Sequence, residues 1–234
     1  MANLNRGELR TEILARLAER VGFFIASELN QWIQDAIDTI SLQLEPLVVT
    51  IKTNLVADQG EYALPADLIS VKQVYLLTNS TDWVNVAETT YERLFEINPD
   101  WEGATATRTP THWYWRQDTL GLYPEPSTAV TAGLRILYTY RPAAMTGDSS
   151  TSGLPDWFDR ALVMHVLYRC RLKDRDEPRA GAALSEFTKL VAEGGTRINK
   201  QRKQHAPRLQ PNMQTYRGYY ARTRSGPRLT TTGT

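Results

Sequence analysis

SELNQWIQDAIDTISLQLEP, residues 27–46, decides how this chain is read. Leu29, Trp32, Ile33, Ala36, Ile37, Ile40 and Leu44 recur at intervals of three and four, which draws one apolar stripe along four turns of helix. Ser27 is a helix-start residue, and Pro46, with no amide hydrogen to donate, stops the helix. Gln31, Gln34, Asp35 and Asp38 make the opposite face polar. Such a stripe needs partners to cover it.

Three other segments offer them. Leu9, Ile13, Leu17 and Val21 predict a helix over 6–21, with Asn5 and Glu8 placed as a capping box. After a linker from Gly147 to Gly153, Pro155 and Asp156 open a helix carrying Trp157, Phe158, Ala161, Leu162, Val166 and Leu172. Pro178 opens another, striped by Ala180, Ala183, Leu184, Phe187, Leu190, Val191 and Ile198. Gly194 and Gly195 inside it cost about 1 kcal/mol each relative to alanine, so a bend or a close helix contact is expected there.

Between Leu47 and Met145 the period drops to two, in short runs rich in Val, Ile, Thr, Tyr and Trp. Strands are expected near 48–56, 68–77, 83–86, 111–116, 119–123 and 133–140, with a short helix from Glu88 to Ile97. Gln117 and Asp118 form a tight turn between two of these strands, making a hairpin. The expected architecture is α+β: a four-helix core (1–46 and 147–205) closing over an inserted antiparallel β region (47–146), followed by an extended basic tail (206–234).

The net charge of +1 conceals a division. Nine basic residues and no acid follow Glu193, so the 27 basic residues less those nine, against 26 acids, leave the rest of the chain at −8. A split of this kind points to an interaction partner. The lone Cys170 excludes an internal disulfide and suits a reducing compartment. Met1 to Arg20 lacks a continuous apolar run, and no later stretch is apolar for long enough to span a bilayer, so neither export nor a membrane anchor is expected.

Chemistry has little to stand on. His112, His165 and His205 fall in three different segments without metal-ligand spacing. Cys170, between Arg169 and Arg171, could be an activated thiol, but a buried structural thiol is the stronger reading because no histidine is near in sequence. Asp174, Asp176 and Glu177 read as a solvated helix start beside Arg175 and Arg179. Phosphate-binding glycine loops and nucleophile-elbow motifs are absent from the sequence. Trp83, Trp101, Trp113 and Trp115 lie in the β region, where Trp113 and Trp115 share a strand face. Packing of a small core explains them better than sugar or base stacking. In the tail, Tyr216, Tyr219 and Tyr220 alternate with Arg217, Arg222 and Arg224, a composition suited to nucleic acid or to anchoring on an acidic protein surface.

With helix pair, β insertion, helix pair and basic tail in place, the chain resembles the head-to-tail connector adaptors of tailed phages, the gp6-like adaptor family. Five stretches between Leu9 and Arg171 carry the resemblance. They are Leu9, Arg10 and Glu12; Glu28, Leu29, Trp32, Ile33 and Ala36; Glu61, Tyr62, Leu64, Pro65 and Asp67 followed by Val71 and Val74; Tyr123, Pro124 and Pro126; and Leu154, Pro155, Trp157 and Leu162. The resemblance implies a structural, non-enzymatic virion subunit without cofactors, made in the host cytoplasm and resident at the head-to-tail interface. It implies a ring, typically of twelve, bound to the portal protein, to neighbouring copies and to a tail or nozzle protein, with DNA passing through during ejection without specific binding. Members of the group dock a C-terminal extension on the portal, which makes Arg208, Tyr216, Arg217, Tyr219, Tyr220, Arg222, Arg224 and Arg228 the candidate contacts to portal or neighbour. The alternatives are a nucleic-acid-binding virion protein acting through the tail, and a cell-wall-degrading virion enzyme. The enzyme would need two carboxylates beside Trp113 and Trp115.

Overall fold

The capping box forms as the sequence implies. The Asn5 amide donates to Glu8 Oε2 at 2.8 Å and the Glu8 amide donates to Asn5 Oδ1 at 2.9 Å, opening α1 (Arg6–Leu17). The computed structural model describes residues 3–17, 23–78, 81–101 and 109–205, so the continuation of this helix to 21 lies outside the described residues. The chain divides into two units, Met1–Thr196 and Arg197–Thr234, and of the second only the end of α5 is described.

Helix α2 (Ala26–Leu44) buries Leu29, Ile33, Ala36, Ile37 and Ile40, five of the seven stripe residues read from the sequence, while Trp32 and Leu44 are half-buried. It ends at Glu45, whose φ of 46° lies in the left-handed region, with its amide donating to Ser41 O at 2.9 Å. A 3-10 turn (Asp156–Phe158) leads into α4 (Asp159–Lys173), and α5 spans Glu177–His205. Leu9 and Ile13 of α1, those five residues of α2, and Ala161, Leu162, Val163 and Val166 of α4 are all fully or almost fully buried. Each large side chain so covered contributes about 1.5–3 kcal/mol. On the next helix Phe187 packs on His165, ring centroids 5.1 Å apart, and Glu186 pairs with Arg160 at 2.8 Å.

Between α2 and α4 lie seven strands: β1 (Val48–Leu55), β2 (Glu61–Ala63), β3 (Leu68–Leu77), β4 (Trp83–Glu88), β5 (His112–Arg116), β6 (Thr119–Tyr123) and β7 (Val130–Tyr140). The short helix α3 (Tyr91–Ile97) sits between β4 and β5. All six expected strands are present. The unforeseen β2 has three residues, too few for alternation to register. Gln117, at φ 50°, turns β5 into β6 in the expected hairpin.

The sheet order is β1-β7-β3-β4-β5-β6-β2. An antiparallel region was expected, and here the structure corrects the reading: the sheet is mixed, because β4 and β5 run parallel, with Ala87 opposite His112 and Glu88 opposite Trp113. The chain between them passes through α3 and returns from the far end, the crossover a parallel pair requires. The sheet also curls, since the Tyr62 hydroxyl on β2 accepts from Val56 N at 3.1 Å and donates to Val56 O at 3.3 Å, tying one edge to the end of the other. Inside the curl lie Leu55, Tyr62, Val74, Leu76, Val86, Trp113, Leu120, Leu122, Leu134, Ile136 and Tyr138.

Gly194 and Gly195 mark a close contact. A β-carbon on Gly194 would stand 2.4 Å from Cε1 of the fully buried Phe158, whereas one on Gly195 would meet only the tip of Leu44, at 3.0 Å. Gly194→Ala is therefore expected to destabilise the protein by about 2 kcal/mol, roughly 4–8 °C in thermal melts followed by circular dichroism. Gly195→Ala, which gains helix propensity against a movable neighbour, should change stability by less than about 1 kcal/mol.

Candidate functional site: interaction surfaces

The residues singled out for chemistry are dispersed and quiet. Burial pushes the Cys170 thiol up to about 12, against the smaller opposing pull of Arg171 and Lys173, so it carries no thiolate at neutral pH. His165 is buried between Tyr168 and Phe187, and its Nδ1 has no partner among the described residues. Burial lowers its pKa, Arg169 adds to that, and Asp35 and the Trp32 backbone oppose it. His112 Nδ1 lies 2.9 Å from Thr111 Oγ1. Asp176 serves α5 as a start residue, its Oδ1 accepting from Arg179 N at 3.3 Å, while its other oxygen faces Arg179 at 3.4 Å and Arg171 at 3.7 Å. Among the described residues there is no cluster of His, Cys, Asp and Glu able to hold a metal, and no helix long and apolar enough to cross a membrane.

Three of the four tryptophans of the β region pack. Trp113 is 3% exposed inside the curl, while Trp115, on the same strand face, is 43% exposed at the strand's end, so the two form no joint platform. Trp83 lies under the Arg135 guanidinium at 3.8 Å. Trp101 meets Tyr91, Tyr114 and Tyr123 edge-on at 5.1, 5.2 and 6.1 Å. Tyr114 lies flat over its cross-strand partner Gly121, where a β-carbon would come within 2.0 Å of the ring.

Two carboxylates do converge, in a place the sequence concealed. Glu61 and Glu125 line a cavity of about 320 Å³ together with Arg116, Trp101, Tyr114 and Tyr123. Glu61 comes there because β2 pairs with β6, and Arg116 Nη1 donates to its Oε1 at 2.7 Å. Trp113 and Trp115, beside which the enzyme reading needed its acids, are not among the lining residues.

A second surface is the outer edge of β1. Val49 and Ile51 stand opposite Tyr138 and Ile136 of β7, both buried, yet are themselves 38% and 36% exposed, and Val48 is 46% exposed. The apolar row of the core thus runs out to an edge strand that nothing among the described residues covers. Only Lys52 interrupts it with a charge, where isolated proteins usually blunt such edges.

One residue of the polar face of α2 and its C-cap form a strut to the sheet. Asp38 takes both arms of Arg141, just past β7, and Glu45 holds Lys72 and Ser70 of β3. The tail candidates Arg208, Tyr216, Arg217, Tyr219, Tyr220, Arg222, Arg224 and Arg228 lie outside the described residues.

A family model described as SU10 adaptor protein matches residues 4–215. No curated protein matches the chain. Among solved structures, the neck of an empty GTA particle computed with C6 symmetry is similar over 70% of this chain and 76% of that one, at 16% identity. Its TM-score of 0.28 is too low to bear on fold or function.

His165 supplies a pH test. Its folded-state pKa lies below the unfolded value of 6.5, so the unfolded chain binds the proton more tightly. Stability is full above that value and is lost as pH falls from about 6.5 toward the folded pKa. Urea melts from pH 7.5 to 5 should show this loss, and His165→Phe should flatten it.

Proposed function

The chain belongs to the SU10 adaptor protein family, whose model spans residues 4–215, and on that premise we propose that it is a structural subunit of the connector between the head and the tail of a phage particle. It acts by assembly, with no catalytic step and no cofactor. Copies close into a ring of twelve that sits on the portal protein, receives a tail or nozzle protein below and lets DNA through during ejection. Residues 1–46 and 147–205 are the proposed four-helix core of the ring wall, and 47–146 its inserted β domain. Residues 206–234 are the anchor on the portal or on a neighbouring copy.

The open edge of β1 is the observation that carries the ring. A row of core residues ending at Val49 and Ile51 without cover, with Val48 exposed on the other face of the same strand, is what a subunit presents to the copy beside it, and a ring needs that edge to meet a different surface on its neighbour. The charge division supports the rest. A body at −8 repels phosphates, so DNA slides past it, and the basic tail is free to seek acidic protein.

Mass measurement of the full chain, alone and with portal, tests the proposal, and the expected species is a many-copy ring that binds portal. Ile51→Lys should leave the monomer folded and weaken self-association at least about tenfold. A chain that stays a single copy and ignores portal overturns the reading.

A further inference from the structure

We propose that the cavity between Glu61 and Glu125 is the seat for an arginine from residues 206–234 of a second copy of this chain. The proposal rests on the ring reading, which supplies the neighbouring copy.

The cavity already displays one half of such a seat. Arg116 binds Glu61 at 2.7 Å while its guanidinium stands 5.8 Å from the Tyr91 ring centroid, a carboxylate and an aromatic face serving one arginine. Glu125, which lines the same cavity, has no hydrogen-bond or ion-pair partner among the described residues. Trp101, Tyr114 and Tyr123 line it too, so a second guanidinium would find the same pairing of acid and ring. An independent sign of a missing occupant is the Trp101 indole N–H. The residue is only 7% exposed, and this donor has no acceptor among the described residues. A buried donor without a partner is costly, and the backbone carbonyl of an incoming peptide would satisfy it. At about 320 Å³ the cavity is at the lower end of ligand sites, suited to one side chain and not to a folded domain.

The occupant follows from charge and residue type. Residues 206–234 hold five arginines, three tyrosines, no lysine and no acid. Arginine, unlike lysine, combines a fork for a carboxylate with a plane that stacks on rings. Fully extended, these 29 residues span about 95 Å, enough to cross to an adjacent subunit.

The test uses the full chain with benzoylphenylalanine incorporated at position 220, mixed one to one with the same chain labelled with ¹⁵N, and irradiated below saturation. Cross-linked peptides are then identified by mass. The expected result is cross-links of mixed isotope into the 101–125 region, with a yield that falls about tenfold in Glu125→Gln. Glu193→Gln, which removes a charge from α5 outside the cavity, should leave the yield unchanged. Cross-links that go elsewhere, that join only chains of one isotope, or that persist in Glu125→Gln overturn the seat. A ring whose tails cross-link elsewhere leaves the connector reading standing, whereas a chain that runs as a single copy overturns both.

Discussion

Everything in this structure depends on the closure of residues 3–10 onto residues 145–159. The Arg6 and Gly7 amides donate to Ser150 O and Asp148 O at 2.9 and 3.0 Å, Asn5 bridges to Thr151, and the Leu4 amide donates to Asp159 at 2.8 Å. The Asn3 side chain reaches Leu154 O, and Arg6 and Arg10 both clasp Asp148, which they hold below its usual pKa. Asp148 is well exposed, so the ion pairs add little by themselves. The stabilisation lies in the backbone bonds and in the Leu9 and Ile13 side chains that the closure delivers to α4. Because the two ends of the β region are gathered at one helical layer, that region is held at both ends like an inserted module.

The second coupling is polar. Asp38 with Arg141, and Glu45 with Lys72 and Ser70, fasten the last half of α2 to the roots of β7 and β3. A helix that spends its apolar face on α4 and its polar face on the sheet has little surface to spare, and the strain of Glu45 at φ 46° is borne within these contacts. The sheet grows away from this junction, and its β1 edge, nearest the helices in sequence, keeps apolar side chains in the open.

The family and the cleft fit one picture. Connector work asks for interfaces, and the described surface offers an apolar strand edge and an acid-aromatic cavity in place of a reaction centre.

Local pattern carried much of this from the outset. The α2 stripe, the Asn5–Glu8 box, six strands and the hairpin at Gln117 were legible because each is a matter of near neighbours and of period. The charge division was plain by simple counting. Legibility ended where distant segments meet. Alternation along β4 and β5 is the same for either direction, so their parallel pairing waited on the crossover through α3. The glycine pair at 194 and 195 left bend and contact open until Phe158 settled on it. Glu61 and Glu125 are far apart in the chain, and only the pairing of β2 with β6 brings them to one cavity. The sequence by itself determined the elements and the sign of each surface, because propensity and charge are local properties. Which groups share a cavity and which edge stays bare was decided by tertiary structure, because strand order and chain closure are set by contacts between residues that no spacing links.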